Sequence, residues 1–162
     1  MFAKVAAAVV LAVTIVGASA ESHTVNFINR CGRGTPQLLQ NGRVLSTGGS
    51  FTSNGPFPAA IAYLQTGNCG FNGENCMTVE MTLQNPTTAG SGSSADLSLI
   101  PPYVYSLAFN VPTRFEYING CNGVGQTCSA GNCDTAFHVP SDTQVQRACQ
   151  TDNAGLQITF CP

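Results

Sequence analysis

Met77-Thr78-Val79-Glu80-Met81-Thr82-Leu83 puts an apolar side chain at every second position. A period of two marks a half-buried strand, with one row of side chains on a core and the other facing out. The same alternation recurs on both sides of this stretch. Val25 and Phe27 alternate within 23–29, Leu97-Ser98-Leu99 runs into Pro101-Pro102, and Leu156-Gln157-Ile158-Thr159-Phe160 lies near the C-terminus. Further strand-length runs are 43–46, 59–64, 103–109 and 114–118, punctuated by turn signals such as Asn41-Gly42, Gly48-Gly49, Asn54-Gly55-Pro56 and Asn122-Gly123. Short runs cut by Gly, Pro and Asn predict an all-β fold, a sandwich or a barrel. No window sustains a helical apolar period. Residues 142–149 are the candidate for one short helical turn, with Ser141 or Asp142 as N-cap. The stretch 87–94, TTAGSGSS, predicts a mobile loop whose composition permits O-linked sugars, while Asn85 is followed by a proline that voids its sequon.

Residues 1–20 have the parts of a secretory signal: Lys4, an apolar run from Val5 to Val16, and the small-residue cleavage site Ala18-Ser19-Ala20. Cleavage there leaves Glu21 to Pro162, enough for one domain with one core. All eight cysteines lie in that part, at 31, 69, 76, 121, 128, 133, 149 and 161. An even count behind a leader predicts a secreted, extracellular chain held by disulfide bonds. No C-x-x-C pair favours a metal site, and neither metal nor cofactor is expected. Past Lys4, five arginines face eight carboxylates, a net charge of −3 with both histidines neutral. Nothing resembles the basic stripe that phosphates require, so nucleic acid is excluded as a partner. Anionic membranes are disfavoured for the same reason, and no later run is long enough to span a bilayer. Few charges and many Gly, Ser, Thr, Asn and Gln suit a neutral polar partner such as a glycan, met by a monomer.

Several segments, taken together, resemble the thaumatin-like family. Val25-Asn26-Phe27-Ile28-Asn29-Arg30-Cys31 resembles its first strand, and Ile158-Thr159-Phe160-Cys161-Pro162 its closing motif. Between them, Gln65-Thr66-Gly67-Asn68-Cys69-Gly70-Phe71-Asn72 with Cys76-Met77-Thr78 is similar to the family's "R-T-G-C-x-F-D…C-x-T" segment. Ala95-Asp96-Leu97-Ser98-Leu99, Phe109-Asn110-Val111-Pro112 and Gly120-Cys121 follow in the family's order. The resemblance implies a flattened antiparallel β-sandwich pinned by disulfides, with the family's second domain largely deleted. Of the roughly one hundred pairings open to eight cysteines, it implies Cys31–Cys161, Cys69–Cys76, Cys121–Cys149 and Cys128–Cys133.

The family's acidic cleft, linked to β-1,3-glucan binding and to weak glucanase activity in some members, is only partly kept. Gln65 stands where the family has arginine, Asp96 where it has glutamate, and Val104 where it has aspartate. A glycosidase needs two carboxyl groups flanking the scissile bond. Asp96 is the one catalytic candidate, with Glu80 or Glu116 as conceivable partners; alone it reads equally as a solvent-facing acid. Tyr103, Tyr105, Phe115 and Tyr117 alternate along two runs, where exposed rings would stack on sugars and buried ones would fill the core. The phenylalanine reads as core, and the tyrosines stand between the two. A triad drawn from Ser141, His138 and Asp142 lacks the G-x-S-x-G elbow, and His23 reads as lying outside the fold proper. The expected ligand-binding residues are therefore Gln65, Asp96, Tyr103, Tyr105 and Tyr117. The expected function is non-catalytic binding of cell-wall β-glucan in defence, antifungal action or wall remodelling. A weak endo-β-1,3-glucanase and a protein-interaction module without a glycan site are the alternatives.

Overall fold

The computed structural model describes residues 20–100 and 107–162. All of the expected leader but its residue 20, and the positions Tyr103, Val104 and Tyr105, lie outside the described residues. Two sheets form the body. The five-stranded sheet runs β4 (Phe51–Asn54), β1 (Ser22–Asn29), β11 (Gly155–Phe160), β8 (Thr113–Ile118) and β9 (Gly125–Cys128). The six-stranded sheet runs β10 (Arg147–Cys149), β7 (Ser93–Ser98), β6 (Thr78–Leu83), β5 (Phe57–Gln65), β2 (Thr35–Gln40) and β3 (Arg43–Ser46). Neighbours pair antiparallel except β1 and β11, which run parallel with Val25 opposite Leu156 and Phe27 opposite Ile158. This is a disulfide-stapled all-β sandwich: the alternation predicts the all-β class, and the resemblance implies the sandwich and its staples.

Alternation decides which side chains meet between the sheets. Val79, Met81 and Leu83 of β6 point inward, and Leu156, Ile158 and Phe160 of β11 are likewise buried. Phe115 and Tyr117 of β8 complete the middle of the core. Each such side chain contributes about 1.5–3 kcal/mol on burial. Asn41 and Gly42, both with positive φ (50° and 71°), form the tight turn from β2 to β3, the backbone that an Asn-Gly pair favours.

The four disulfides are Cys31–Cys161, Cys69–Cys76, Cys121–Cys149 and Cys128–Cys133, with sequence separations of 130, 7, 28 and 5. They are the pairs that the resemblance implies, and no described cysteine is free. The first joins the ends of β1 and β11, where the chain-entropy model assigns about 5 kcal/mol to so long a loop.

Three expectations need correction. Residues 142–149 form only one 3-10 turn (Thr143–Val145) before joining the sheet as β10. The Asp142 carboxylate does not cap that turn; it accepts from the backbone N–H groups of His138 and Val139 at 2.9 and 3.0 Å. In the stretch 87–94, Ser93 and Ser94 already belong to β7. The Ser91 hydroxyl ties the remaining turn by accepting from the N–H groups of Thr87 and Thr88. His23 is inside the fold: it is fully buried on β1, with Nδ1 2.8 Å from the Ala154 carbonyl and Nε2 2.9 Å from Glu21 Oε1.

Candidate functional site

The outward row of β6 and β7 carries the polar side chains that the alternation leaves over. Register places Leu39, Ile61, Glu80 and Asp96 side by side across β2, β5, β6 and β7. Beside this row, β5 carries a bulge between Phe57 and Ala60, where Ala59 adopts a left-handed φ of 50°. A bulge bends its strand and re-aims the neighbouring side chains. Here it borders a groove of about 340 Å³ lined by Ala59, Ile61, Glu80, Thr82, Asp96 and Gln146.

Asp96 is the unusual group in that groove. It is only 7% exposed, and its Oδ1 has no hydrogen-bond partner. Burial, reinforced by the Glu80 carboxylate opposite and partly offset by Gln146, pushes its carboxyl up to about 7. The solvent-facing reading of Asp96 is thus overturned: the sheet face and the β10 segment shelter it. Two further polar atoms on this outward face, Thr78 Oγ1 and Ser98 Oγ, are also buried without partners, and their residues pair across β6 and β7. Native structures rarely leave buried polar atoms unpaired. Three on one strand pair are a concentrated cost of burial, and none of these atoms is open to solvent.

The structure separates the other expected residues from this groove. Tyr117 is 0% exposed, and its hydroxyl donates to the Arg147 carbonyl at 3.0 Å. Burial, with Asp96 nearby, raises its pKa. It is a core residue with its hydroxyl satisfied, so it offers no stacking face, because β8 turns positions 115 and 117 inward together. Gln65 is spent on its own loop: its Oε1 accepts from the N–H groups of Gly67 and Cys69, and its Nε2 donates to the Cys69 carbonyl at 2.9 Å. It positions the loop and does not face a ligand. Glu116 lies on the other sheet, bonded to Arg114 at 2.7 Å, which leaves Glu80 as the carboxylate beside Asp96. The His138 ring faces the Cys133 carbonyl at 2.8 Å, while the Asp142 carboxylate accepts from the backbone N–H groups of His138 and Val139 and not from the His138 ring, so no triad forms with Ser141.

One feature has no counterpart among the expected residues. The loop between β5 and β6, closed by Cys69–Cys76, holds Phe71 outward with 54% of its surface exposed. The Tyr63 hydroxyl donates to the Phe71 carbonyl at 2.8 Å. Gly73 lies so close beneath that a Cβ there would stand 2.6 Å from Thr78 Cγ2 and 3.1 Å from Tyr63 Cδ1. The sequence signal was present: Phe71 sits among Gly and Asn between two cysteines, with no apolar neighbour to pack on.

Sandwich, staples and groove define the class: a disulfide-stapled all-β protein with a polar concavity on one outer sheet face. No protein-family model matches this chain, and no curated protein matches its sequence.

Proposed function

We propose that the chain is a secreted, small thaumatin-like protein that binds cell-wall β-glucan without cleaving it, in defence, antifungal action or wall remodelling. The observation that carries this reading is the groove on the six-stranded sheet, bordered by Thr82, Gln146, the aliphatic Ala59 and Ile61, the Glu80 carboxylate and, deeper, the Asp96 carboxyl. A sugar hydroxyl both donates and accepts, so it satisfies either protonation state of that carboxyl. The aliphatic walls supplied by Ala59 and Ile61 suit the C–H faces of a pyranose. The implied cysteine pairs and the order of the resembling segments support the family assignment. The test is sedimentation with insoluble β-1,3-glucan. The wild type is expected in the pellet and Asp96→Ala largely in the supernatant; a wild type left in the supernatant overturns the reading.

One observation favours the hydrolase alternative. Glu80 stands directly opposite Asp96, and an acid titrating near neutrality beside a second carboxylate is the division of labour that glycosidases use. Against it, both groups rise from the same sheet face and do not flank a bond between them. Reducing-end release from a soluble β-1,3-glucan, abolished by Asp96→Asn, would establish hydrolysis; unchanged release by that variant rejects Asp96 as the catalyst.

A further inference from the structure

The geometry points to a second sugar-binding subsite at Phe71 and Glu74, joined to the Asp96 groove, so that the ligand is a linear chain of neutral hexoses spanning both. This deepens the β-glucan reading and rests on it. The first support is the way Phe71 is displayed. A lone exposed phenylalanine on a loose loop carries little meaning, but this loop is fastened throughout. Besides the disulfide and the Tyr63 bond, Gly70 N–H donates to the Glu74 carbonyl at 2.8 Å and Cys76 N–H to the Gly73 carbonyl at 3.0 Å. From the adjoining segment, Asn110 donates to the Leu64 carbonyl and accepts from Met77 N–H. The ring is held ready, and preorganisation of this kind lowers the entropy lost on binding.

The second support is the chemistry around the ring. Phe71 and Glu74 border a hollow of about 470 Å³ together with Asn68, Gly70 and Asn75. The Glu74 carboxylate accepts from Asn72 N–H at 2.9 Å and from Asn72 Nδ2 at 3.2 Å. A carboxylate has about four lone-pair positions, so acceptor capacity remains for incoming hydroxyls. Hydrogen bonds from its own and the Asn72 backbone and from the Asn72 side chain hold Glu74 below the ordinary carboxylate range, which keeps it an acceptor. An apolar face beside a carboxylate and amides is what a pyranose ring matches, with C–H groups on the aromatic and hydroxyls on the polar rim. A phosphate or other anion would be repelled by Glu74. A hydrophobic peptide would find one ring in polar surroundings, since Val44, Val124 and Val139, the other large exposed apolar side chains among the described residues, sit on other segments.

Continuity is the third support. The Asp96 groove shares Ala59 and Ile61 with a smaller hollow of about 140 Å³ that reaches Asn72. Asn72 is hydrogen-bonded to Glu74. A further hollow of about 350 Å³ has Glu80 in common with the Asp96 groove and Glu74 in common with the Phe71 hollow, so concave surface leads along the outward face of the six-stranded sheet from Asp96 to Phe71. A single sugar would fill one end of it, and an extended chain would engage both.

Isothermal titration with β-1,3-linked glucose oligomers of two and of six or more units tests this. The wild type is expected to bind the long oligomer at least about tenfold more tightly than the dimer. Phe71→Ala should remove that gain, an effect of up to about tenfold for one aromatic contact, leave the dimer affinity unchanged, and keep the thermal midpoint because the ring is exposed. Phe71→Tyr should restore the gain. Wild-type binding of the long oligomer that Phe71→Ala does not weaken, or an equal loss for both lengths, overturns the bridging subsite and leaves the β-glucan reading standing. Phe71-dependent binding of a mannose or N-acetylglucosamine oligomer, with none to β-glucan, overturns the glucan assignment and upholds the subsite. Binding of none of these oligomers overturns both.

Discussion

His23 and Asp96 are buried titratable side chains on opposite sheets, and they are treated in opposite ways. His23 on β1 meets an acceptor at each ring nitrogen, and its partner Glu21 also accepts from Asn85 N–H at 2.7 Å. That network is closed. Asp96 on β7 keeps one oxygen without a partner, two residues from Ser98 and diagonal to Thr78, which share its condition. A closed network holds the sandwich together; an open one leaves a cost of burial uncompensated. The disulfides repeat the contrast, since Cys31–Cys161 spans 130 residues beside His23's sheet, whereas Cys69–Cys76 spans 7 and shapes the loop that carries Phe71.

The largest effect should come from the long staple. Replacing Cys31 and Cys161 by serine should lower stability to denaturant by about 5 kcal/mol, against about 2.4 kcal/mol for Cys69 and Cys76. Of the two, only the shorter-range variant should lose the extra affinity for long glucan oligomers at temperatures where both are folded. Loss of binding in both would erase the distinction. Next, His23→Ala should lower stability by about 1–3 kcal/mol, since a buried ring and its hydrogen bonds are lost together. The His23 and Asn85 hydrogen bonds hold the Glu21 carboxyl below its ordinary value of 4.5. Its stabilisation is therefore complete above that value and is lost as pH falls through the lower folded one. Acid unfolding curves should show this step in the wild type and a diminished one in His23→Ala.

Asp96 should behave in the reverse sense. Its folded pKa of about 7 lies above the ordinary 3.8, so the folded chain holds a proton that the unfolded chain releases. Stability should fall as pH rises from about 4 to about 7 and then level off. Asp96→Asn should flatten that slope and gain about 2–4 kcal/mol at pH 8, with little change at pH 3; a variant less stable at pH 8 would place Asp96 with the closed networks. The smallest effect is at the bulge. Ala59→Gly relieves a left-handed alanine and should raise the melting temperature slightly, by the equivalent of up to about 1 kcal/mol.

The period-two pattern made β6, β1 and β11 legible, because side-chain alternation and burial are the same fact seen twice. It also fixed the inward role of Phe115. Strands β2, β4 and β9 were not legible: TPQLLQ, FTSN and GQTC carry too few apolar residues to alternate, and their neighbours in the sheet hold them. Residues 147–149 read as helical because no local signal announces a strand that exists by pairing with β7 and by the bond from Cys149 to Cys121. At the groove, Asp96 was legible as a carboxylate and its burial was not. Burial there depends on register, which sets Glu80 opposite it, and on Gln146 arriving from about fifty residues away. Gln65 was misread for a related reason, since its amide is used up by a loop whose closure only the fold reveals.

The parallel pairing of β1 with β11 also bears on how the chain comes to be folded. The strand at the centre of the five-stranded sheet follows both of its neighbours in the chain, so β1 and β8 must wait for it to be synthesised before they gain their common neighbour. Contacts this distant in sequence slow folding. A nascent chain stalled before Gly155 would expose both strand edges to other chains, and an oxidase acting early would find Cys31 without its mate.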